Sequence, residues 1–344
     1  MHGGSETTRS MTLDHAPRRD FLFDVRVAPA TRPARVCCYT TDEGYLLPTL
    51  LSASQARDAL PRDVADVLVL CFGTASAATS AAAEFCAEAG LEFYLVPSAA
   101  LDGNPMICAR FFLSQFVPAK YREILYLDGD TQVDGSLAPL LSHPVAPGRI
   151  LAVPDPMAVM IGSADGPWPA RRAYFRSIGL SDPQQGAYFN SGVMRFRAAD
   201  WEAVSRECLA LCRREGARFK FRDQDALNLV VGLRGVPVSF RWNFPLFFLN
   251  FGAEAAIRPR IYHFMSNPRP WHGAFAPWGG AWHTPYKALA AARPELARTL
   301  KPMRGLQYGR YVVQQRVKRF RESRTWGTPA VRARIDAMEA RAVV

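Results

Sequence analysis

The chain has 344 residues, of which 49% are hydrophobic and 21% charged, so it can fold around a sizeable core and does not belong to the disordered class. It has no run of 18 apolar residues and begins with a polar segment, so we expect neither a transmembrane helix nor a secretory signal. Residues 301–344 carry +8 of the formal net charge of +11. The basic residues cluster there without an aromatic-rich surface on which RNA bases could stack, so we expect no nucleic-acid partner.

Strand and helix patterns alternate along residues 34–300 and predict one α/β domain. Apolar runs bounded by turn residues predict strands at 35–39, 64–72, 91–96, 123–127, 150–153, 192–196, 236–240 and 261–264. Ala-rich or amphipathic segments predict helices at 46–60, 75–89, 108–117 and 200–215. This order favours a mostly parallel sheet with helices on both faces. Residues 1–33 show no periodicity, so we expect them to be a flexible extension.

The seven cysteines include no Cys-x-x-Cys pair. Cys37 and Cys38 are adjacent in an apolar run, and Cys208 and Cys212 are four residues apart on a predicted helix. We interpret all seven as buried apolar side chains in a reducing compartment and expect a cytoplasmic protein. A disulfide or metal framework is the alternative.

Acidic residues follow the predicted strand at 123–127. In open α/β sheets, ligands bind beyond the carboxyl ends of the strands. Asp128 and Asp130 flank Gly129, which lets the backbone turn, and two such carboxylates can hold one Mg²⁺ or Mn²⁺ ion together with water and phosphate oxygens. The pattern therefore favours a nucleotide diphosphate ligand. An acidic turn that caps a neighbouring helix is the alternative.

Four further segments complete an ordered set of motifs. They are Thr-Thr-Asp-Glu-Gly-Tyr at 40–45, Tyr-Phe-Asn-Ser-Gly-Val-Met at 188–194, Arg-Asp-Gln-Asp-Ala-Leu-Asn at 222–228 and His-Phe-Met-Ser-Asn-Pro-Arg-Pro-Trp at 263–271. Together with Tyr-Leu-Asp-Gly-Asp at 126–130, this set resembles glycosyltransferase family 8 over residues 36–271. The resemblance implies the GT-A fold, a Rossmann-like mixed sheet, and metal-dependent, retaining transfer from a nucleotide sugar.

The resemblance also implies a metal site formed by Asp128, Asp130 and His263. Imidazole beside carboxylates suits Mn²⁺ better than Mg²⁺, so we expect Mn²⁺, with Mg²⁺ as the alternative. Gly129 would lie beside the bound donor. Without the acidic pair, His263 at a strand end would more often be a structural histidine.

The loop after the first strand is implied to bind uracil. Asp42, next to Thr41, would accept a hydrogen bond from the uracil N–H, and Tyr45 would stack on the base. A simple turn with Asp42 as a helix N-cap is the alternative. Gly44 stands where the family often has Asn, so one polar contact with the nucleotide is expected to be absent.

Three further residues are implied to contact the donor. Arg110 lies on the predicted helix before the metal strand, while Asn190 and Ser191 would line the donor sugar from a small-residue turn. The alternative for Arg110 is an ordinary exposed helix residue. The alternative for Asn190 and Ser191 is a turn that merely requires compact side chains.

Asp223, Gln224 and Arg269 are implied to act on the reacting groups. Asp223 would accept hydrogen bonds from sugar hydroxyls and stabilise positive charge at the anomeric carbon, and Gln224 would lie near that carbon. An N-terminal helix cap is the alternative for Asp223. Arg269 replaces the usual Lys and would bind diphosphate oxygens, whereas Ser266 replaces a Gly and is expected to narrow the site.

The resemblance implies a retaining hexosyltransferase of the glucose or galactose type that uses a UDP-sugar donor. Gln224 is a poor nucleophile, which favours same-face attack by the acceptor hydroxyl over double displacement. A nucleotidyltransferase with the same acidic pair and a catalytically silent nucleotide-sugar-binding module are the alternatives. The sequence leaves open which glycan, lipid-linked or other hydroxyl compound is the acceptor, and it leaves the oligomeric state open as well.

Residues 301–344 are predicted to form a basic, partly amphipathic helical tail. Leu306, Val313, Val317 and Phe320 recur at helical spacing among many arginines. Such a helix at 304–324 either lies on the inner face of an anionic membrane or docks on the domain and leaves a solvated basic face.

Overall fold

The computed structural model describes residues 34–161, 168–300 and 303–344. The predicted extension at 1–33 and the first two residues of the predicted tail lie outside these ranges. The division of the chain at residue 300 stays a prediction.

The strands in the described ranges are β1 (Arg35–Asp42), β2 (Asp66–Phe72), β3 (Glu92–Val96), β4 (Glu123–Leu127), β5 (Thr131–Val133), β6 (Ile150–Pro154), β7 (Phe189–Arg197), β8 (Gly235–Pro237), β9 (Phe244–Pro245) and β10 (Ile261–His263).

The α-helices are α1 (Leu46–Asp58), α2 (Ala77–Ala89), α3 (Leu113–Phe116), α4 (Ala138–Ser142), α5 (Pro156–Met160), α6 (Trp168–Ser177), α7 (Asp182–Gly186), α8 (Ala198–Glu215), α9 (Arg222–Val231), α10 (Glu254–Ile257), α11 (Gly279–Ala292), α12 (Pro294–Arg298), α13 (Gly305–Trp326) and α14 (Pro329–Glu339). Short 3₁₀ helices cover Glu43–Tyr45, Ser98–Leu101, Met106–Phe112, Gly216–Arg218, Gly232–Arg234, Phe240–Trp242, Leu246–Phe251 and Pro270–His272.

The larger sheet has the strand order β3-β2-β1-β4-β7-β6-β8. Its strand pairs are parallel except at β7, which runs antiparallel to both β4 and β6. The predicted mostly parallel sheet flanked by helices is confirmed.

Alternate residues of the parallel strands enter two cores, one on each face of this sheet. On β2, Val67 and Val69 belong to one apolar cluster, and Leu68 and Leu70 belong to the other. Because helices cover both faces, the strand is apolar throughout, which is the pattern that predicted it.

A smaller sheet has the order β5-β10-β9 and begins directly after the acidic residues that follow β4. Strand β10 runs antiparallel to β5, and its register places His263 opposite Thr131. The backbone N–H of Phe264 also donates to the carbonyl of Asp130 at 2.9 Å. This small sheet therefore joins the end of β4 to a segment far downstream.

Three local predictions are wrong in the type or extent of the element. The helix predicted at 108–117 is a 3₁₀ helix followed by the single turn α3, and α3 ends at Phe116 because Pro118 holds Val117 in an extended conformation. Asn190 and Ser191 lie inside β7 rather than in a turn, since β6 continues to Pro154 and pairs there with Phe189. Strand β8 has three residues, because Ser239 caps a 3₁₀ helix where the strand was expected to continue.

All seven cysteines are buried and free, as the interpretation of apolar side chains requires. Burial raises the pKa of the Cys37 thiol to about 12, so this side chain is a neutral thiol at ordinary pH. Cys208 and Cys212 lie on the buried face of α8.

Helix α13 docks on the rest of the chain through one face, on which Gln315 and Trp326 are buried. The predicted apolar residues lie on another face and are exposed, with Val313 at 62%, Val317 at 51% and Phe320 at 56% exposure. None of the helices in the described ranges is both long enough and apolar enough to cross a membrane.

Candidate active site

A cavity of about 830 Å³ opens at the carboxyl end of β4. Its size is that of typical small-molecule sites. Every residue predicted to contact a donor or metal contributes to its lining: Thr41, Asp42, Tyr45, Arg110, Asp128, Gly129, Asp130, Asn190, Ser191, Asp223, Gln224, His263 and Arg269. The fold thus brings the predicted site residues together.

The acidic pair at the end of β4 has an asymmetric environment. Asp128 accepts hydrogen bonds from Arg110 at 2.8 Å and from the hydroxyl of Tyr126 at 2.9 Å. Burial raises the pKa of Asp128 in spite of Arg110, and the neighbouring charge of Asp130 raises it further. Burial also acts to raise the pKa of Asp130, but Arg269 and His263 lower it well below its usual range.

His263 completes a cluster with the two carboxylates. Its Nε2 atom lies 3.1 Å from Asp130 Oδ1 and 3.9 Å from Asp128 Oδ2. One candidate ligand atom from each residue lies within 4.8 Å of the other two. The register of β10 against β5 accounts for this approach, because it places His263 beside the residue that follows Asp130.

A chain of hydrogen bonds fixes which nitrogen of His263 carries the proton in the neutral ring. The N–H of Gly192 donates to Asn190 Oδ1 at 2.9 Å, so this atom is an acceptor, and the Nδ2 of Asn243 donates to it at 2.8 Å. Asn243 Oδ1 therefore faces His263 Nδ1, 2.8 Å away, and accepts its proton. In the neutral ring, Nε2 therefore carries the lone pair, and it faces Asp130 Oδ1 at 3.1 Å.

The residues present fit a divalent cation. One candidate ligand atom from each of the three residues lies within 4.8 Å of the other two. With the neutral ring these atoms are three acceptors, which a cation bound between them would satisfy. Two carboxylates and one imidazole form a donor set suited to Mn²⁺ and similar ions.

Arg110 links the metal cluster to the start of α9. Its side chain is 6% exposed, with Nη2 bonded to Asp128 and Nε 3.2 Å from Asp223 Oδ2. Nη1 donates to the carbonyl of Ser191 at 2.6 Å. The guanidinium therefore neutralises two buried carboxylates, a structural role that sequence reasoning did not assign to it.

Asp223 and Gln224 lie at the first turn of α9 and are tied to β7. The hydroxyl of Ser191 donates to Asp223 at 3.1 Å. The side-chain oxygen of Gln224 accepts from the N–H of Ser191 at 3.1 Å, and its Nε2 donates to Asp155 at 3.0 Å. Both ends of the Gln224 amide are therefore engaged.

The loop predicted to bind uracil follows β1. Asp42 lines the cavity and precedes the 3₁₀ helix Glu43–Tyr45, but its side chain does not cap that helix. This absence of a cap leaves the carboxylate available to a ligand. Tyr45 makes an edge contact with Trp271, with ring centroids 5.3 Å apart.

Arg269 forms an ion pair with Asp130 and lies over the ring of Trp271, 5.8 Å from its centre. Ser266, the residue in place of the family's Gly, lines the same cavity. Its hydroxyl lies 3.3 Å from Lys318 Nζ on α13. The loop after His263 thus contacts both the metal cluster and the C-terminal helix.

Sequence reasoning missed several residues of the site. Asp155 is buried at the end of β6, where its side chain accepts from Gln224, from Asn190 and from the N–H of Met157. An acidic residue two positions after the strand predicted at 150–153 was the available signal. Asn243 orients His263, but nothing in its sequence surroundings indicates that role.

A family model described as Glycosyl transferase family 8 matches residues 102–274 of the chain. The matched stretch contains the acidic pair, β7, the start of α9 and His263. Helix α13 lies beyond it.

Two curated proteins are similar to about half of the chain. One is the lipopolysaccharide glucosyltransferase WaaO of Escherichia coli, 29% identical over 173 residues, which are 47% of this chain and 48% of that protein. The other is the lipopolysaccharide 1,3-galactosyltransferase of Salmonella typhimurium, 25% identical over 181 residues and 49% of each chain. The matches therefore span about half the length of these relatives.

The chain also resembles a solved structure of the galactosyltransferase LgtC, in complex with donor and acceptor sugar analogues. The TM-score is 0.58 at 21% identity, and the likeness covers 75% of this chain and 96% of that chain. At this identity the likeness establishes the fold, which is the GT-A type.

Proposed function

The chain belongs to glycosyl transferase family 8, and from this premise we propose that it is a retaining hexosyltransferase that uses a UDP-sugar donor and Mn²⁺. The observation that carries the proposal is the convergence of Asp128, Asp130 and His263 within 4.8 Å, in the cavity that Asp42 and Tyr45 also line. A cation site beside a base-binding loop is what a nucleotide diphosphate requires.

Asp128, Asp130 and His263 would hold the metal, which as a Lewis acid supplies positive charge where UDP departs. Asp42 would accept the uracil N–H, and Tyr45 would stack on the base. Arg269 would donate to diphosphate oxygens and add a second positive charge.

The residues beneath the sugar support same-face attack by the acceptor hydroxyl. Asp223 is the carboxylate that would accept sugar hydroxyls and stabilise positive charge at the anomeric carbon. Gln224 is a weak nucleophile, and its oxygen already accepts the N–H of Ser191. A covalent glycosyl-enzyme on this side chain is therefore disfavoured.

We propose a glycan of the lipopolysaccharide type as the acceptor. The two curated relatives bear names that assign them lipopolysaccharide as substrate. Their similarity covers about half of each protein.

The test of the proposed function is release of UDP from UDP-glucose or UDP-galactose with Mn²⁺, in the presence of rough lipopolysaccharide. We expect Asp130→Asn to lower turnover at least about 100-fold, because it removes a metal ligand. Asp134→Asn changes an exposed carboxylate four residues away and is expected to leave turnover unchanged.

Two outcomes would contradict the proposal. Donor binding without turnover would favour a catalytically silent binding module. Release of pyrophosphate from a nucleoside triphosphate, without use of UDP-sugars, would favour a nucleotidyltransferase.

We also propose that α13 contacts an anionic membrane through its outer face, defined by Leu306, Val313, Val317 and Phe320. These side chains are 51–94% exposed. Around them lie the exposed arginines Arg310, Arg316, Arg321 and Arg324. Apolar side chains that enter a bilayer interface, surrounded by cations that meet anionic headgroups, are typical of helices that lie on membranes.

A further inference from the structure

Helix α13 forms part of the wall of the active-site cavity. Gln315, Lys318, Glu322 and Trp326 line the same cavity as Asp130. They are spaced three or four residues apart, so they form one face of the helix, which we call the inner face. This face is opposite the exposed outer face.

The inner face presents polar groups to the loop that follows His263. Lys318 lies 3.3 Å from the hydroxyl of Ser266, three residues after His263, and 3.6 Å from Glu322. Asn250 donates to Glu322 at 2.5 Å, which fixes the position of the carboxylate.

Gln315 presents an amide to the cavity. The residue is 4% exposed and borders the cavity. Within the described residues this amide makes no side-chain hydrogen bond, and its nitrogen and oxygen are not among the fully buried atoms without a partner, so water reaches them. Such an amide can exchange that water for a hydroxyl, because it can both donate to a hydroxyl and accept from one.

Aromatic rings adjoin these polar groups. Trp326 contacts Trp168 and Phe247, with ring centroids 5.8 Å and 5.0 Å apart, and all three rings line the cavity. A sugar has apolar C–H faces, which pack on aromatic rings, and hydroxyls at its rim, which bond to carboxylate, amide and ammonium groups. Both kinds of group are present on this wall of the cavity.

We infer that the inner face of α13 is the subsite for the acceptor sugar, with Gln315 and Glu322 bonded to its hydroxyls. The inference rests on the proposed function. The residues proposed to hold the donor and its metal lie on β1, on two 3₁₀ helices, directly after β4, on β7, on α9, and on β10 with the loop that follows it. None of them lies on α13, which is therefore free to contact the second substrate. Helix α13 lies outside the stretch that the family model matches.

The test compares Gln315→Leu with Gln314→Leu, which makes the same change at the exposed neighbouring residue. The acceptor probe is core oligosaccharide released from rough lipopolysaccharide by mild acid, and the donor is UDP-hexose with Mn²⁺. We expect Gln315→Leu to raise the acceptor KM about tenfold, since one or two hydrogen bonds are lost. Hydrolysis of the donor by water, measured without acceptor, is expected to stay unchanged, and Gln314→Leu is expected to match the wild type.

Glu322→Gln provides a second measurement that retains the shape of the side chain. It should raise the acceptor KM in the same way. The inference is overturned if both variants leave the acceptor KM unchanged, or if donor hydrolysis falls as much as transfer. It is also overturned if the wild type hydrolyses the donor but neither binds this oligosaccharide nor transfers to it. A wild type that does not turn over the donor would instead contradict the proposed function.

Discussion

Two glycines allow the candidate metal ligands to approach their neighbours. A Cβ atom at Gly192 would lie 2.3 Å from His263 Cε1, and one at Gly129 would lie 2.1 Å from Thr49 Oγ1. Neither glycine has a positive φ, so close approach and not backbone conformation requires them. The imidazole can reach the carboxylates only because residue 192 has no side chain.

Gly192→Ala should therefore weaken metal binding. The added methyl group displaces His263, and we expect the affinity for Mn²⁺ to fall at least about tenfold, as for other changes that misorient a ligand. Titration of Mn²⁺ by calorimetry measures this directly. Gly186→Ala, at a glycine with open space around it, serves as the control; equal affinities in the two variants would refute the role given to Gly192.

How much of the site the sequence predicts depends on how local each contact is. Asp128 and Asp130 are recognisable because both follow one predicted strand. Asn243 is not, since its role depends on contacts with Asn190 and His263, which are distant in sequence. Arg110 was predicted only to contact the donor. Its pairing with Asp128 and Asp223 was not predictable, because the fold alone brings these two carboxylates to it.

At the scale of elements, long apolar strands and helices with clear stop signals are predicted well. Gly90, for example, ends α2 in a left-handed conformation, as expected of a C-terminal glycine. The strand predicted at 261–264 is present as β10, whereas β5 and β9, of three and two residues, are too short to show alternation and were not predicted. The pairing of β10 with β5 nevertheless brings His263 to the acidic pair.

The outer face of α13 yields a prediction for membrane binding. Replacing Val317 and Phe320 together by Glu should lower partitioning onto vesicles that contain anionic lipid by at least about tenfold, because apolar contact is lost and negative charge is added. Co-sedimentation with vesicles measures the effect. Gln314→Glu with Thr325→Glu adds the same charge at exposed positions away from the apolar residues.

The comparison between these two variants is decisive. A merely electrostatic attraction would weaken equally in both. If the Val317 and Phe320 variant binds as well as the wild type, the outer face does not contact lipid.

At the scale of the whole molecule, the alternation of strands and helices was sufficient to predict the fold class. It did not give the direction of β7, because an apolar run shows that a strand is buried but not which way it runs. Nor did the pattern of α13 reveal its docking face, since Gln315, Lys318 and Glu322 are polar residues and usually mark an exposed surface.

A bound cation should stabilise the whole fold, because its ligands come from the end of β4 and from β10. At 100 times its Kd, a ligand that binds only the native state adds about 2.7 kcal/mol to the free energy of unfolding. We expect Mn²⁺ to raise the Tm by several degrees relative to EDTA, as measured by calorimetry. His263→Gln should abolish most of the increase, and an equal increase in that variant would place the ion elsewhere.

The two faces of α13 have a kinetic consequence. If one face borders the reaction cavity while the other rests on lipid, the enzyme would meet lipid-borne substrate by lateral diffusion. Turnover would then follow the mole fraction of acceptor in the bilayer instead of its bulk concentration, and dilution with inert lipid would slow the reaction at constant total acceptor.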